Sequence, residues 1–332
     1  MLDLLKTDDL IPAQILGQSG AFVWWYLDLV DHSGDGLVLI WSFGLPFLPA
    51  PGLPRERPGL ALSVYKDGQV EYQLVTELPD GEILPEGWRL GDCWITQSTG
   101  PGGSAFSAEL QLPTPHGRLT GRILGHNPAL AIPGSTTKAV HGWGPLGGLG
   151  AGEARLRVGD WSAELKGALY RDRNYSLQPL DGLGIDSWVW GRAAHKGQLV
   201  IWYLVEGTHP VSKVFLERDG QLLQLEARVE AQGWTRDRYG RRWARQLTLQ
   251  TDEGPWVVEQ GAPVDRSPFY LRHPVTLEHA GERSAGWGEL VVPDRLDRPW
   301  MRPFVNMRIQ RMGSNSPLLP YFTGPKPPLR WI

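Results

Sequence analysis

The chain contains an internal echo. Val23-Trp24-Trp25-Tyr26-Leu27 leads into the turn Asp31-His32-Ser33-Gly34-Asp35-Gly36, and then into Leu37-Val38-Leu39-Ile40-Trp41. Much later Trp188-Val189-Trp190 leads into Gly191–Gly197, and then into Leu199-Val200-Ile201-Trp202-Tyr203. Two aromatic and β-branched runs around a polar turn make a β-hairpin. A hairpin that recurs in the same form implies two units built alike. The length of 332 residues also exceeds one ordinary core. The spacing predicts an N-terminal domain over 1–180 and a C-terminal domain over 181–332. The boundary falls in Ser176–Asp186, which is rich in turn residues and lacks strand alternation.

Other segments support an all-β fold. Phe106-Ser107-Ala108-Glu109-Leu110-Gln111-Leu112 alternates apolar and polar, as an antiparallel strand with one wet face must. With 28 Pro and 41 Gly the chain is too heavily punctuated for long helices. Around eight strand signals per half match the number at which a closed barrel holds one small ligand. Two antiparallel barrel or sandwich domains in tandem are expected, with cavity-free sandwiches as the alternative.

The composition excludes several classes of function. The formal charge is −3 with both signs mixed, so there is no basic footprint for nucleic acid. Cys93 is the one cysteine, which rules out an internal disulfide and a cysteine-based metal site, and its strand-like context predicts a packed thiol. No Gly-x-Ser-x-Gly, P-loop or Rossmann fingerprint appears. The first residues lack a signal-peptide pattern and no run of 18 apolar residues follows, so a cytoplasmic location is expected. Sixteen Trp suit a wide core or the wall of a cavity for a hydrophobic small molecule, and equally the filling of two β cores. The Arg236–Arg245 stretch reads as a solvated hairpin face, with contact to an anionic membrane surface as a second reading.

Four stretches carry a family resemblance: Trp24-Trp25-Tyr26; His141-Gly142-Trp143-Gly144-Pro145; Tyr170-Arg171-Asp172-Arg173-Asn174; and Ser187-Trp188-Val189-Trp190-Gly191-Arg192. In order and approximate spacing they resemble the carotenoid 1,2-hydratase (hydroxyneurosporene synthase) family and its lipocalin-like relatives. The resemblance implies two lipocalin-like domains and catalysis by His141, Trp143, Tyr170 and Asp172. It assigns substrate contact to Trp24, Trp25, Tyr26, Asn174, Trp188, Trp190 and Arg192. Two departures stand out. The family's hydratases carry a basic residue where this chain has Gly142, and an acidic Gly-Asp-Glu-Pro-Leu stretch where it has Tyr175-Ser176-Leu177-Gln178-Pro179-Leu180.

Hydrating an unactivated alkene needs a proton donor, stabilisation of a tertiary carbocation and a positioned water, and requires no metal or organic cofactor. In that scheme Asp172 is the acid, kept protonated by an apolar cavity, and Trp143 offers a π face to the cation. His141 and Tyr170 orient the acid and hold or deprotonate the water. His141 and Trp143 are two apart, as are Tyr170 and Asp172, so on strands each pair shares a face and both pairs can line one cavity. An Asp172-Arg173-Asn174 turn is the alternative. A lipocalin-like isomerase or cyclase of the pericyclase type, or a non-catalytic carrier, would fit the same fold.

Overall fold

The computed structural model describes residues 2–6, 13–47, 52–133, 141–237, 239–296, 298–311 and 316–327. Two large antiparallel sheets dominate it. The first opens as a meander of β1 (Phe22–Val30), β2 (Gly36–Phe43), β3 (Pro58–Lys66) and β4 (Gln69–Glu77). Five further strands follow between Gly81 and Pro128, then β5 (His141–Pro145), a strand at Gly150–Val158, and the long β6 (Trp161–Ser176), which pairs back onto β1. Strands β4 and Gly81–Leu84 lie at opposite ends of the antiparallel order yet follow each other in the chain, so the bend between them curls the sheet into a nearly closed barrel.

The second sheet repeats this circuit. Strands β7 (Ile185–His195), β8 (Gln198–Gly207) and β9 (Val211–Arg218) form the meander. The circuit ends on β10 (Tyr270–His279) and β11 (Glu282–Val291), and β11 pairs back onto β7. Here the ends of the order are Gln221–Glu226 and Arg228–Gln232, two halves of one segment bent at Ala227. The hairpins β1–β2 and β7–β8 therefore hold the same place in two sheets of the same design, as their sequence echo implies.

The C-terminal segment crosses back to the first sheet. Ile309–Arg311 and Gly324–Pro325 pair with the free edge of β4 in the first sheet, after the short helix α1 (Met301–Asn306). An uncovered edge invites unwanted strand pairing, and these residues cap it.

Burial separates three large apolar clusters from a small one of Trp243, Leu271 and Leu290. Trp25, Trp41 and Trp88 fill the lumen of the first barrel with Leu27, Leu39 and Leu62. Trp202 and Trp256 fill the second with Val258 and Leu277. The third lies in the seam between the barrels, where Trp24, Tyr26, Trp143 and Tyr170 meet Trp188, Trp190, Tyr203 and Trp287. The sequence explains the seam. Every residue of β1 is buried: apart from Asp28, Phe22–Val30 is apolar without alternation because both of its faces are covered. Cys93 is buried and burial pushes its thiol up to about 11, consistent with a packed residue. The Arg236–Arg245 stretch is not uniformly solvated: Arg241 is buried, paired with Asp237 and bonded to the Tyr270 carbonyl at 2.7 Å. A carbonyl cage and a carboxylate hold that guanidinium inside, and alternation could not reveal them.

Candidate active site

Strands β5 and β6 are neighbours, with His141 opposite Ser176, Trp143 opposite Asn174 and Pro145 opposite Asp172. Period-two geometry puts Tyr170, Asp172 and Asn174 on the β6 face that looks into the seam. The intervening Arg171 turns the other way, donating from Nε to Asn127 Oδ1 at 2.7 Å and from a terminal nitrogen to Gln97 Oε1 at 3.1 Å.

Asp172 is the centre of the seam-facing group. Trp143 Nε1 and Tyr170 Oη donate to its Oδ2 at 3.0 and 2.9 Å, and Asn174 Nδ2 donates to its Oδ1 at 3.1 Å. These donors favour the carboxylate, whereas removal from water favours the acid. Burial wins: it pushes the carboxyl up to about 8 against the pull of Trp143 and Tyr170, with the charges of Glu289 and Asp28 adding to the rise. At neutral pH Asp172 therefore holds a proton.

His141 is buried nearby, edge-on to Trp188 at 5.4 Å between ring centroids. Burial holds its imidazole down at about 4, with Asn174 pulling in the opposite direction, so the ring is neutral at pH 7. Its Nε2 and the Asn174 Oδ1 are buried without a partner in hydrogen-bonding geometry.

The second barrel closes the group. Tyr203 on β8 packs its ring 4.9 Å from Trp143 and 5.3 Å from Trp188, and Phe215 on β9 lies 5.2 Å from Trp143. Trp190 sits between Tyr26 at 5.4 Å and Tyr170 at 5.6 Å, and Trp24 approaches Trp188 at 6.3 Å. Aromatic faces thus surround a neutral carboxyl in a buried seam.

Most of the residues singled out from the sequence converge here: His141, Trp143, Tyr170, Asp172, Asn174, Trp24, Tyr26, Trp188, Trp190 and Arg192. Trp25 does not. It points into the lumen of the first barrel, 4.7 Å from Trp88, because neighbours on a strand face opposite ways. Arg192 is already committed, forming with Asp28 a fully buried ion pair that ties β7 to β1; Tyr26 donates to the same carboxylate at 3.0 Å. The Asp172-Arg173-Asn174 stretch is strand, not turn.

The cavities differ from expectation. One of about 300 Å³ is lined by His141, Gln178, Tyr203, Val205, Thr208 and His209, and neither any Trp nor Asp172 lines it. Another, of about 170 Å³, lies farther along the seam among Ile40, Ala61, Val75, Phe269 and Arg272. Arg272 donates to Tyr26 Oη at 3.0 Å and pairs with Glu289, so the polar seam runs continuously from this cavity towards Tyr170. Sequence reasoning missed Asp28, Tyr203, Arg272 and Glu289. A signal existed for Asp28, a carboxylate within an otherwise apolar strand and in phase with Trp24 and Tyr26.

Among the described residues no three His, Cys, Asp or Glu side chains gather to hold a metal ion, and no helix is long and apolar enough to cross a membrane.

No curated protein matches the sequence. Solved structures share the fold at low identity. An AttH protein of Nitrosomonas europaea aligns with a TM-score of 0.58 at 12% identity over 87% of this chain and 98% of that one. Kievitone hydratase from Nectria haematococca aligns at 0.55 and 10% over 85% and 93%, and CghA with Sch210972 at 0.57 and 15% over 85% and 92%. At these identities the likeness concerns the lipocalin-like two-barrel fold alone. The family comparison reaches further, because a model described as carotenoid hydratase CrtC matches residues 107–316. That span includes β5, β6 and the Trp188–Arg192 stretch, and it covers well over half of the sequence: the chain belongs to the carotenoid hydratase CrtC family.

Proposed function

We propose that this hydratase-family protein adds water across a carbon–carbon double bond of an acyclic carotenoid or related isoprenoid, with Asp172 as the acid. The observation that carries this reading is a carboxyl buried between two barrels, holding its proton to about pH 8 and surrounded by aromatic rings. The Asp172 proton goes to the less substituted alkene carbon, and the π pair becomes the new C–H bond. The tertiary cation left behind is stabilised by the Trp143 face, a contact worth about 0.5–2 kcal/mol depending on desolvation. Water supplies an electron pair to the cation, and the proton it then sheds restores the acid. Tyr170 and Asn174 fix the carboxyl in one orientation. The chemistry is complete without a cofactor.

Incubating the purified protein with lycopene or neurosporene in oxygen-18 water tests this reading. The expected product carries one labelled hydroxyl. Binding without product would identify a carrier, and an isomer without label would identify an isomerase or cyclase.

A further inference from the structure

We infer that Tyr203, a residue of the second barrel, forms with His141 the site that binds the adding water. The inference rests on Asp172 being the acid. Both side chains line the same cavity of about 300 Å³, which approaches the group from the side of β5 and β8. Each places an unpartnered polar atom out of solvent: His141 Nε2 on a residue 6% exposed, and Tyr203 Oη on one fully buried. A buried polar atom without a partner is unfavourable, and two on one cavity point to a shared polar guest. The cavity exceeds the roughly 30 Å³ a water occupies.

The chemistry fits the guest. The Tyr203 hydroxyl can donate to a water oxygen, and a neutral imidazole whose Nε2 is unprotonated accepts a water hydrogen, leaving an oxygen lone pair for the cation. Tyr203 also lies against Trp143, whose indole donates to Asp172. The adding water therefore stands on the second-barrel side of the site, with the Trp143 indole between Tyr203 and the acid. As the C–O bond forms, its surplus proton passes to His141 Nε2 and returns to the Asp172 carboxylate, so charge and atoms balance. Division of labour follows: the first barrel carries the proton donor, and the second completes the water site.

Tyr203→Phe keeps the ring and removes only the unpartnered hydroxyl. The expected result is a fall of about 10²-fold in hydration turnover, the low end for a positioned proton-transfer group, with KM little changed and thermal stability unchanged or higher. In deuterium oxide the variant should still introduce deuterium into recovered alkene, because Asp172 still protonates it; Asp172→Asn should do neither. Hydration by Tyr203→Phe within twofold of the parent protein would overturn the inference. A second arm does not depend on turnover. A high-resolution crystal structure should show an ordered water within hydrogen-bonding reach of both His141 Nε2 and Tyr203 Oη; a cavity without such a water would overturn it too. Hydration or deuterium exchange that persists in Asp172→Asn would instead remove Asp172 as the acid, leaving the water site to be judged by the crystal structure.

Discussion

The Trp143 indole reaches Asp172 diagonally across the β5–β6 pair, donating from Nε1 to Oδ2 at 3.0 Å although the residue directly opposite Trp143 is Asn174. A diagonal neighbour in an antiparallel pair is within reach only of a long side chain, and the indole has that reach. The contact gives Trp143 two tasks, as donor to the acid and as aromatic wall. Because the donor favours the carboxylate, it restrains the rise in the Asp172 pKa.

Trp143→Phe removes that restraint. A hydrogen bond to a charged group is worth about 1.5–3 kcal/mol, and about 1.4 kcal/mol corresponds to one pKa unit. The alkaline limb of the activity profile, set near pH 8 by Asp172, should move upward by about one unit, while the maximal rate falls because a weaker π face remains. The pH dependence of kcat/KM checks this. A limb that stays in place would show that the indole does not act through Asp172.

Asp172→Asn should separate activity from stability. Turnover should drop by about 10²–10⁴-fold with ligand binding retained, since the transferable proton is gone. The same raised pKa fixes the sign of the stability change. An unfolded chain loses this proton near 3.8, whereas the folded protein keeps it to about 8. Between those values the native state binds the extra proton, so folding stability falls as pH rises. Asn escapes that loss. The variant should match the parent near pH 4 and exceed it near pH 8, by on the order of several kcal/mol, as denaturant unfolding at the two pH values would show.

The site was legible where alternation and motif agreed. His141 with Trp143, and Tyr170 with Asp172 and Asn174, fell into place because the side-chain period of a strand is two. The same rule separates Trp25 from Trp24 and Tyr26, so naming all three as substrate contacts ignored a distinction the sequence contained. The Trp excess was divided between both readings: Trp25, Trp41, Trp88, Trp202 and Trp256 pack the lumens, while Trp24, Trp143, Trp188 and Trp190 line the seam. Tyr203 was not legible. It belongs to a uniformly buried run, Leu199–Val205, and its importance comes from docking against Trp143, a contact between residues sixty apart in the chain. Which barrel faces meet is a property of packing, and no local pattern encodes it.

Gly142 tests whether the first-barrel side of β5 tolerates the basic residue that the family's hydratases carry between the His and the Trp. A Cβ here would lie 2.4 Å from the Tyr175 ring and 3.0 Å from Leu5. The obstacle is occupied space. Gly142→Ala should cost about 1–3 kcal/mol, the usual range for overpacking a tight core, and Gly142→Lys more. Trimming the obstruction with Tyr175→Leu should recover part of the loss in the double variant. Urea unfolding of the three variants measures it, and a fully stable Gly142→Lys would show that Tyr175 gives way freely.

The ion pair of Asp28 and Arg192 joins the barrels behind the acid. Both side chains are essentially unexposed, and Tyr26 adds a further hydrogen bond to Asp28. Removing one partner leaves an uncompensated buried charge, which costs about 3–5 kcal/mol, whereas replacing both with apolar groups of similar volume is often neutral. Arg192→Met should therefore destabilise strongly, and Asp28→Leu combined with Arg192→Met should recover most of the loss. The charge of Asp28 also contributes to the rise in the Asp172 pKa. Asp28→Asn keeps the shape but removes that charge, and it leaves the Arg192 cation without its counter-ion. Both changes favour ionised Asp172. The alkaline limb of activity should consequently move below pH 8, opposite to the shift from Trp143→Phe, in a variant whose folding is first verified by its unfolding transition. Opposite displacements from two residues on either side of one carboxyl would tie the limb to Asp172; a common direction would assign it to another group.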